Sequence, residues 1–396
     1  MNIFYLFLAV SFSISISMEQ EGVITPKSFL YWALIISSVL PAFFKMKIIS
    51  INIAKKWKWI IVFFCITFIW NAFHEGVDFV LSLMLMCISW AYIFGSGLTL
   101  KINNIAKIFL AVVVAGGLIK QFTEINYYDL IPYIKINNLS EGRVSFAGNI
   151  GFAGIFSLLV FMLLVSETKN TIFIKLGLAL SIYFIIFSQV RTAWIGMAVF
   201  VSMKIILIFI KDKSDYIIIT TVIFATILNI IILFFAPQII GNLNFDIFGI
   251  ELITQGKGSI DADALAIQMY RPLLWAEQIK QFYLSPYMMG LGSAASNIDI
   301  FGGVDVGYGG DTVSYPTRLL AYYGMPALLF IFSTIYALWS HIKIKDSLAI
   351  CAWPVCYLVM LNWGSLFHPT DAVGILYLLL IFKGSTVFLS DCKGLK

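Results

Sequence analysis

Apolar runs separated by short polar breaks make up most of this chain. A helix needs about 20 apolar residues to cross the hydrocarbon core of a bilayer. Reading the runs against that length predicts twelve membrane-spanning helices. Their approximate bounds are 2–18, 29–44, 58–73, 79–99, 105–119, 148–166, 172–190, 192–210, 216–238, 316–340, 347–365 and 371–390. The polar stretch at about 239–315 predicts a long loop with structure of its own.

Composition narrows the fold class to a polytopic membrane protein. Of 396 residues, 60% are hydrophobic and 12% are charged, whereas a soluble domain carries about 25% charged residues. This balance excludes a cytosolic enzyme, a secreted disulfide scaffold and a disordered chain. We therefore predict an all-α polytopic membrane protein with about 12 transmembrane helices. Helices 1–9 occupy residues 1–238, the long loop occupies 239–315, and helices 10–12 occupy 316–396.

The lysine positions predict the orientation of this bundle. Lysines follow the second, fourth, sixth, eighth and tenth helices, whereas the first three alternate breaks carry more acidic residues than lysines. Since cytoplasmic loops are enriched in Lys and Arg, we expect the lysine-bearing breaks and both termini to be cytoplasmic. The long loop then lies on the outer side of the membrane.

The arginines depart from the lysine pattern. Only four of the 26 basic residues are arginine, and all four fall on the predicted outer side: Arg143, Arg191, Arg271 and Arg318. A single arginine at a membrane edge often only snorkels to the interface, but the set of four favours function. The guanidinium fork matches phosphate oxygens and stays charged at any working pH. We therefore predict an outward-facing site for a phosphate-bearing ligand.

The long loop holds two features of its own. Its middle predicts an amphipathic helix, because apolar residues recur there at helical spacing: Leu265, Met269, Pro272, Trp275, Ile279 and Phe282. The glycine-rich segment 301–311 follows. It predicts either a flexible connector or a mobile loop that covers a site, with Asp305 or Asp311 entering it.

Four segments carry a resemblance to a known family. Their bounds are 143–154, 188–196, 269–292 and 315–324, and they include the Ser188-Gln-Val-Arg191-Thr192 sequence between two helices. In order, spacing and placement they resemble the O-antigen polymerase and O-antigen ligase superfamily of bacterial inner membranes. The resemblance covers most of the chain in topology and about residues 143–200 and 268–330 in sequence.

This resemblance implies a membrane glycosyltransferase that acts on undecaprenyl-diphosphate-linked glycans at the periplasmic face without a metal or cofactor. Arg191 and Arg271 are the candidates for stabilising the charge left on the diphosphate. Arg143 and Arg318 are candidates for holding the lipid substrates. Asp311 is the preferred general base. Glu277 is the second candidate base and a candidate substrate contact.

One departure from the family favours one of its two activities. The ligases characteristically carry a histidine where the outer loop returns to the membrane, but residues 311–318 of this chain contain none. The pattern therefore favours a polymerase, which would work beside a flippase and a chain-length regulator. Ligation to lipid A core and flipping of lipid-linked oligosaccharides are the alternatives. With a net charge of +5, three histidines and no CxxC pair, we expect neither nucleic acid nor a metal to bind.

Overall fold

The computed structural model describes twelve parts of the chain. They are residues 58–74, 100–123, 146, 150–167, 171–188, 190–210, 215–241, 246–247, 250–251, 278–292, 315–362 and 372–389. These residues are mostly helical, as an all-α class requires. The predicted spans 2–18, 29–44 and 79–99 lie outside the described residues, as does most of the loop 239–315.

The helices of the described residues follow nine of the predicted spans. They are α1 (Lys58–His74), α2 (Ile102–Thr123), α3 (Ile150–Val165), α4 (Ile172–Phe187), α5 (Arg191–Phe209), α6 (Asp215–Gly241), α7 (Tyr315–Tyr323), α8 (Pro326–Lys343), α9 (Ser347–Asn362) and α10 (Ala372–Lys383). Short strands accompany them: β1 (Leu100–Lys101) pairs in parallel with β4 (Phe388–Leu389), and β2 (Asp246–Ile247) pairs with β3 (Ile250–Glu251).

Helix α3 lies at the centre of the bundle. It carries no charged residue, and every side chain from 153 to 164 is buried. A helix that is apolar on all sides is stable only when neighbours cover all of it. Helices α2, α4, α5, α9 and α10 supply this cover. Glycines allow the closest approaches, since a Cβ on Gly154 would come within 2.8 Å of Val190, and one on Gly196 within 2.6 Å of Leu158.

The outer faces of the peripheral helices are apolar. Phe209 of α5 is 78% exposed and Phe224 of α6 is 63% exposed, with similar side chains on α4 and α8. Exposed apolar surface of this extent indicates a face that contacts protein or lipid. Among the described residues, Arg191–Phe209 meets the length and apolarity needed to cross a membrane, and seven further apolar helical segments are shorter.

The predicted tenth span, 316–340, is two helices in the structure rather than one. Helix α7 ends at Tyr323, and Gly324 adopts a left-handed conformation with φ +64° before α8 begins at Pro326. Proline has no N–H to donate and fits the first turn of a helix. The left-handed glycine and the proline together break the span, which apolar periodicity alone does not reveal.

Candidate functional site

Arg191 is the first residue of α5 and lies at a tight corner between two helices. The Trp194 indole donates a hydrogen bond to the Ile185 carbonyl at 2.7 Å, which ties the first turn of α5 to the last turn of α4. Val190 precedes the helix and provides no side-chain cap. The partly buried Arg191 has its Nε atom buried. The Nε atom of Arg191 therefore lies at the N-terminus of α5, the end of the helix dipole that carries partial positive charge.

The corner packs against the segment that includes Arg143 in the sequence. Gly154 of α3 leaves room for Ser188 and Val190, whose side chains would contact any Cβ at that position. The buried Ser188 hydroxyl donates to the Ile185 carbonyl at 3.3 Å. The structure thus brings the described end of one family-like segment, at Gly154, against the segment 188–196.

The other two family-like segments also meet. The amide of Leu291 donates to the Ala321 carbonyl, and the amide of Met325 donates to the Met288 carbonyl, both at 2.8 Å. Gly290 and Gly324 lie against each other's backbone, and a Cβ on either would come within 2.4 Å of a main-chain atom. Residues 278–292 of the long loop are therefore docked on α7 and on the break before α8.

Arg318 lies in α7, beneath this docked segment. Its guanidinium carbon is 5.1 Å from the centroid of the Tyr322 ring, a cation–π geometry. The preceding residue, Thr317, donates a hydrogen bond from its hydroxyl to Oε1 of the fully buried Gln278. Arg318 thus contacts Tyr322 one turn further along α7, and the preceding residue, Thr317, is hydrogen-bonded to the docked segment.

Arg191 and Arg318 lie at the same end of the bundle. Helices α5 and α9 run antiparallel, since Gly196 faces Val355 while Lys204 is close enough to Cys351 to interact electrostatically. Helices α9 and α8 are joined by a three-residue turn, so α7 lies at the end where α5 begins. We call this the arginine end.

Most of the described lysines lie at the opposite end, which we call the lysine end. The starts of α2 and α4 are joined there by a hydrogen bond between Thr171 and Asn103. The ends of α8 and α10 are joined by the His341 Nε2 contact with the Ile381 carbonyl at 2.8 Å. The lysines of this end are Lys101, Lys107, Lys175, Lys343, Lys345 and Lys383. Two described lysines depart from this pattern, since Lys280 is exposed on the docked segment and Lys120 lies in the last turn of α2, at the arginine end.

Aromatic side chains border the arginine end. Trp70 stacks on His74 near the end of α1 with ring centroids 3.9 Å apart, and its ring also meets Tyr287 edge to face at 6.2 Å. Tyr287 is 89% exposed and has a left-handed backbone with φ 54°. His74 is therefore exposed at the edge of this end and stacked against a tryptophan.

Several predicted site residues lie outside the described part of the chain. These are Arg143, Arg271, Glu277 and Asp311. Their assignment remains a prediction from the sequence.

The sequence patterns did not predict two features of the site. Gln278, beside the predicted Glu277, is fully buried, whereas Ile279 of the predicted apolar face is 39% exposed. The buried face runs through Gln278 and Phe282, four residues apart, because that face meets α7. The second feature is the contact between Gly290 and Gly324. The sequence indicates it only through the presence of glycine at both positions.

No protein-family model matches the chain, and no curated protein matches it either.

Proposed function

We propose that this protein is a membrane-embedded glycosyltransferase that polymerises O-antigen or a related surface polysaccharide at the periplasmic face of the bacterial inner membrane. In this proposal about twelve helices cross the membrane, both termini are cytoplasmic, and the loop 239–315 is periplasmic. One observation carries it: Arg191 and Arg318 share one end of an apolar helical bundle, and most lysines of the described residues lie at the other end. Because lysine marks cytoplasmic surfaces, the arginine end faces the periplasm.

The proposed reaction needs fixed positive charge at that end. The growing glycan leaves undecaprenyl diphosphate, and a hydroxyl of a second lipid-linked repeat unit forms the new glycosidic bond. Negative charge develops on the departing diphosphate while the hydroxyl loses a proton. Arg191, at the start of α5, stabilises that charge together with Arg271, and Arg318 and Arg143 hold the lipid substrates. Asp311 receives the proton, with Glu277 as the second candidate.

Substituting Arg191 tests the proposal in a strain that lacks the gene. We expect Arg191→Ala to lose long-chain polymer, with a rate about 100-fold lower, because one fixed charge in a dry site is worth roughly 3 kcal/mol. Arg191→Lys should also fail, since lysine cannot make the bidentate contact. The readouts are surface polysaccharide on gels and protein abundance by immunoblot.

Lys343→Ala is the matched control for these arginine variants. It removes one positive charge at the lysine end and should leave chain length unchanged. Normal polymer in the Arg191→Ala strain at normal protein abundance would refute the role given to this arginine.

The deletion strain separates the proposed polymerase from the two alternatives. A polymerase mutant should accumulate single lipid-linked repeat units on the periplasmic face. Loss of polymer from lipid A core while lipid-linked polymer is still made would identify a ligase. Repeat units trapped on the cytoplasmic face would identify a flippase.

A further inference from the structure

An unsatisfied amide lies beside Arg318. The side chain of Gln278 is fully buried, and its Oε1 accepts the hydrogen bond from Thr317. Its Nε2 is also buried but has no hydrogen-bond partner in the described part of the chain. A buried donor without a partner is rare and destabilising, because it has lost its bonds to water. Such a group indicates a binding partner that is absent from the protein itself.

A second unsatisfied group lies on the same face of the docked segment. Gln281 follows Gln278 by three residues within the helical residues 278–284, so the two side chains are neighbours. The Oε1 atom of Gln281 is buried and has no hydrogen-bond partner among the described residues. One unpaired donor and one unpaired acceptor therefore lie on the same face of the docked segment, which is hydrogen-bonded to the helix that carries Arg318.

This pairing selects among the chemical groups of the proposed substrate. A phosphate oxygen only accepts hydrogen bonds and would leave the Gln281 carbonyl unsatisfied. A lipid chain would satisfy neither amide. A sugar hydroxyl donates and accepts at once, and an acetamido group does the same through its N–H and its carbonyl. A neutral sugar substituent is thus the part of the substrate that satisfies both groups.

We infer that Gln278 and Gln281 form a saccharide subsite beside Arg318. Nε2 of Gln278 donates to a hydroxyl or acetamido group of the lipid-linked glycan, and Oε1 of Gln281 accepts from it. Thr317 orients the Gln278 amide through its hydrogen bond. The inference rests on the proposed function, because it divides one lipid-linked substrate between arginines that bind phosphate and glutamines that bind sugar. A site built to pair with a sugar group rejects a substrate that lacks that group.

The test compares two lipids on the purified full-length protein in nanodiscs. One is the undecaprenyl-diphosphate-linked repeat unit, isolated from a host without the polymerase, and the other is undecaprenyl diphosphate alone. We expect Gln278→Leu to weaken binding of the glycan-bearing lipid about tenfold, as for one lost hydrogen bond. Binding of undecaprenyl diphosphate should stay within about twofold of wild type. Arg318→Ala should weaken both.

Stability without ligand distinguishes a binding role from a structural one. Replacing Gln278 by leucine removes the unpaired Nε2 and also the hydrogen bond from Thr317. Because these two effects on stability oppose each other, the unfolding midpoint should stay close to that of wild type. A lower midpoint, with both lipids weakened equally, would make Gln278 a structural residue and overturn the subsite. Gln281→Ala, at a partly buried position, provides a second variant with the same expected selectivity for the glycan.

The remaining outcomes are also decisive. Ile279→Ala, between the two glutamines and 39% exposed, is the matched control and should bind both lipids normally. If Gln278→Leu and Gln281→Ala also bind both lipids normally, the two amides do not contact the glycan and the subsite is refuted. If wild-type protein binds neither lipid, the proposed function fails, and the subsite fails with it. The two failures differ because the first appears only in the variants and the second appears in wild type.

Discussion

Arg191 and Gln278 differ in how far their roles can be read without a structure. Arg191 stands out because arginine is scarce and because it separates two apolar runs. Gln278 has no such signal, since an amide within an amphipathic helix is ordinary. Its burial depends on contact with Thr317, which lies 39 residues further along the chain. Sequence patterns reveal a residue that is unusual in its local segment. A contact between residues that are distant in sequence can be seen only in the folded structure.

Asp346 is a second side chain whose role depends on distant contacts. It is buried at the lysine end, where Oδ1 accepts from the Ala349 amide at 3.1 Å and Oδ2 accepts from the Ser385 amide at 2.7 Å. His341 lies 3.7 Å from the same carboxylate. One carboxylate therefore caps α9 and attaches the segment after α10 to the turn before α9.

We expect Asp346→Ala to lower the free energy of unfolding by about 2 kcal/mol, since it removes a helix cap and leaves the Ser385 amide without its partner. The thermal midpoint in detergent measures the effect. Ser385→Ala is the control, because Ser385 uses its main-chain amide in this contact. Equal midpoints for Asp346→Ala and wild type would show that the carboxylate contributes nothing to stability.

The helices were largely predictable, and their interruptions were not. Nine of the predicted spans correspond to helices of the described residues. A run of about 20 apolar residues is typical of a helix, because a helix satisfies its own backbone hydrogen bonds. The break at Gly324 was missed because it lies within an apolar run. It exists because the docked segment approaches the backbone there, and only glycine leaves room at that distance.

Gly324→Ala tests whether this break holds the loop in place. A Cβ would lie 2.2 Å from the Met288 carbonyl oxygen, at a residue with φ +64°. Relieving that clash requires the segment to move, and a cost of about 1.4 kcal/mol would make local opening tenfold more frequent. Faster hydrogen exchange at the Leu291 and Met325 amides should report it, together with shorter polymer.

The control for Gly324→Ala is Met288→Gly. Met288 also has a left-handed backbone, with φ 56°, so glycine removes strain there and keeps the main-chain contacts. We expect exchange at Leu291 and Met325 to stay near the wild-type rate. Equal exchange in Gly324→Ala and wild type would mean that the glycine contact does not hold the segment.

Across the whole molecule, the separation of arginine from lysine connects the fold to the proposed activity. The lysines orient the chain by their local position, but a shared end for Arg191 and Arg318 depends on how α5, α9 and α8 alternate in direction. The apolar outer faces then place these two ends on opposite sides of any bilayer that surrounds the bundle.

Cysteine labelling of intact cells tests this arrangement. In a variant without the five native cysteines, Tyr287→Cys at the arginine end should react with a membrane-impermeant maleimide added outside. Lys345→Cys at the lysine end should react only after the inner membrane is permeabilised. Both positions are exposed in the fold, so burial would not mask either. Labelling of both from the same side would contradict the proposed topology.

The amino-acid sequence by itself predicted the all-α class, the helices of the described residues and the scarcity of arginine. These properties depend on residues close together in the chain, where apolar length and charge act directly. Only the tertiary structure decided that Gly154 packs against the corner at Arg191 and that residues 278–292 dock on α7. It also decided that Nε2 of Gln278 and Oε1 of Gln281 are buried without hydrogen-bond partners among the described residues. Those features arise from packing between residues that are far apart in sequence, and local patterns carry no record of such contacts.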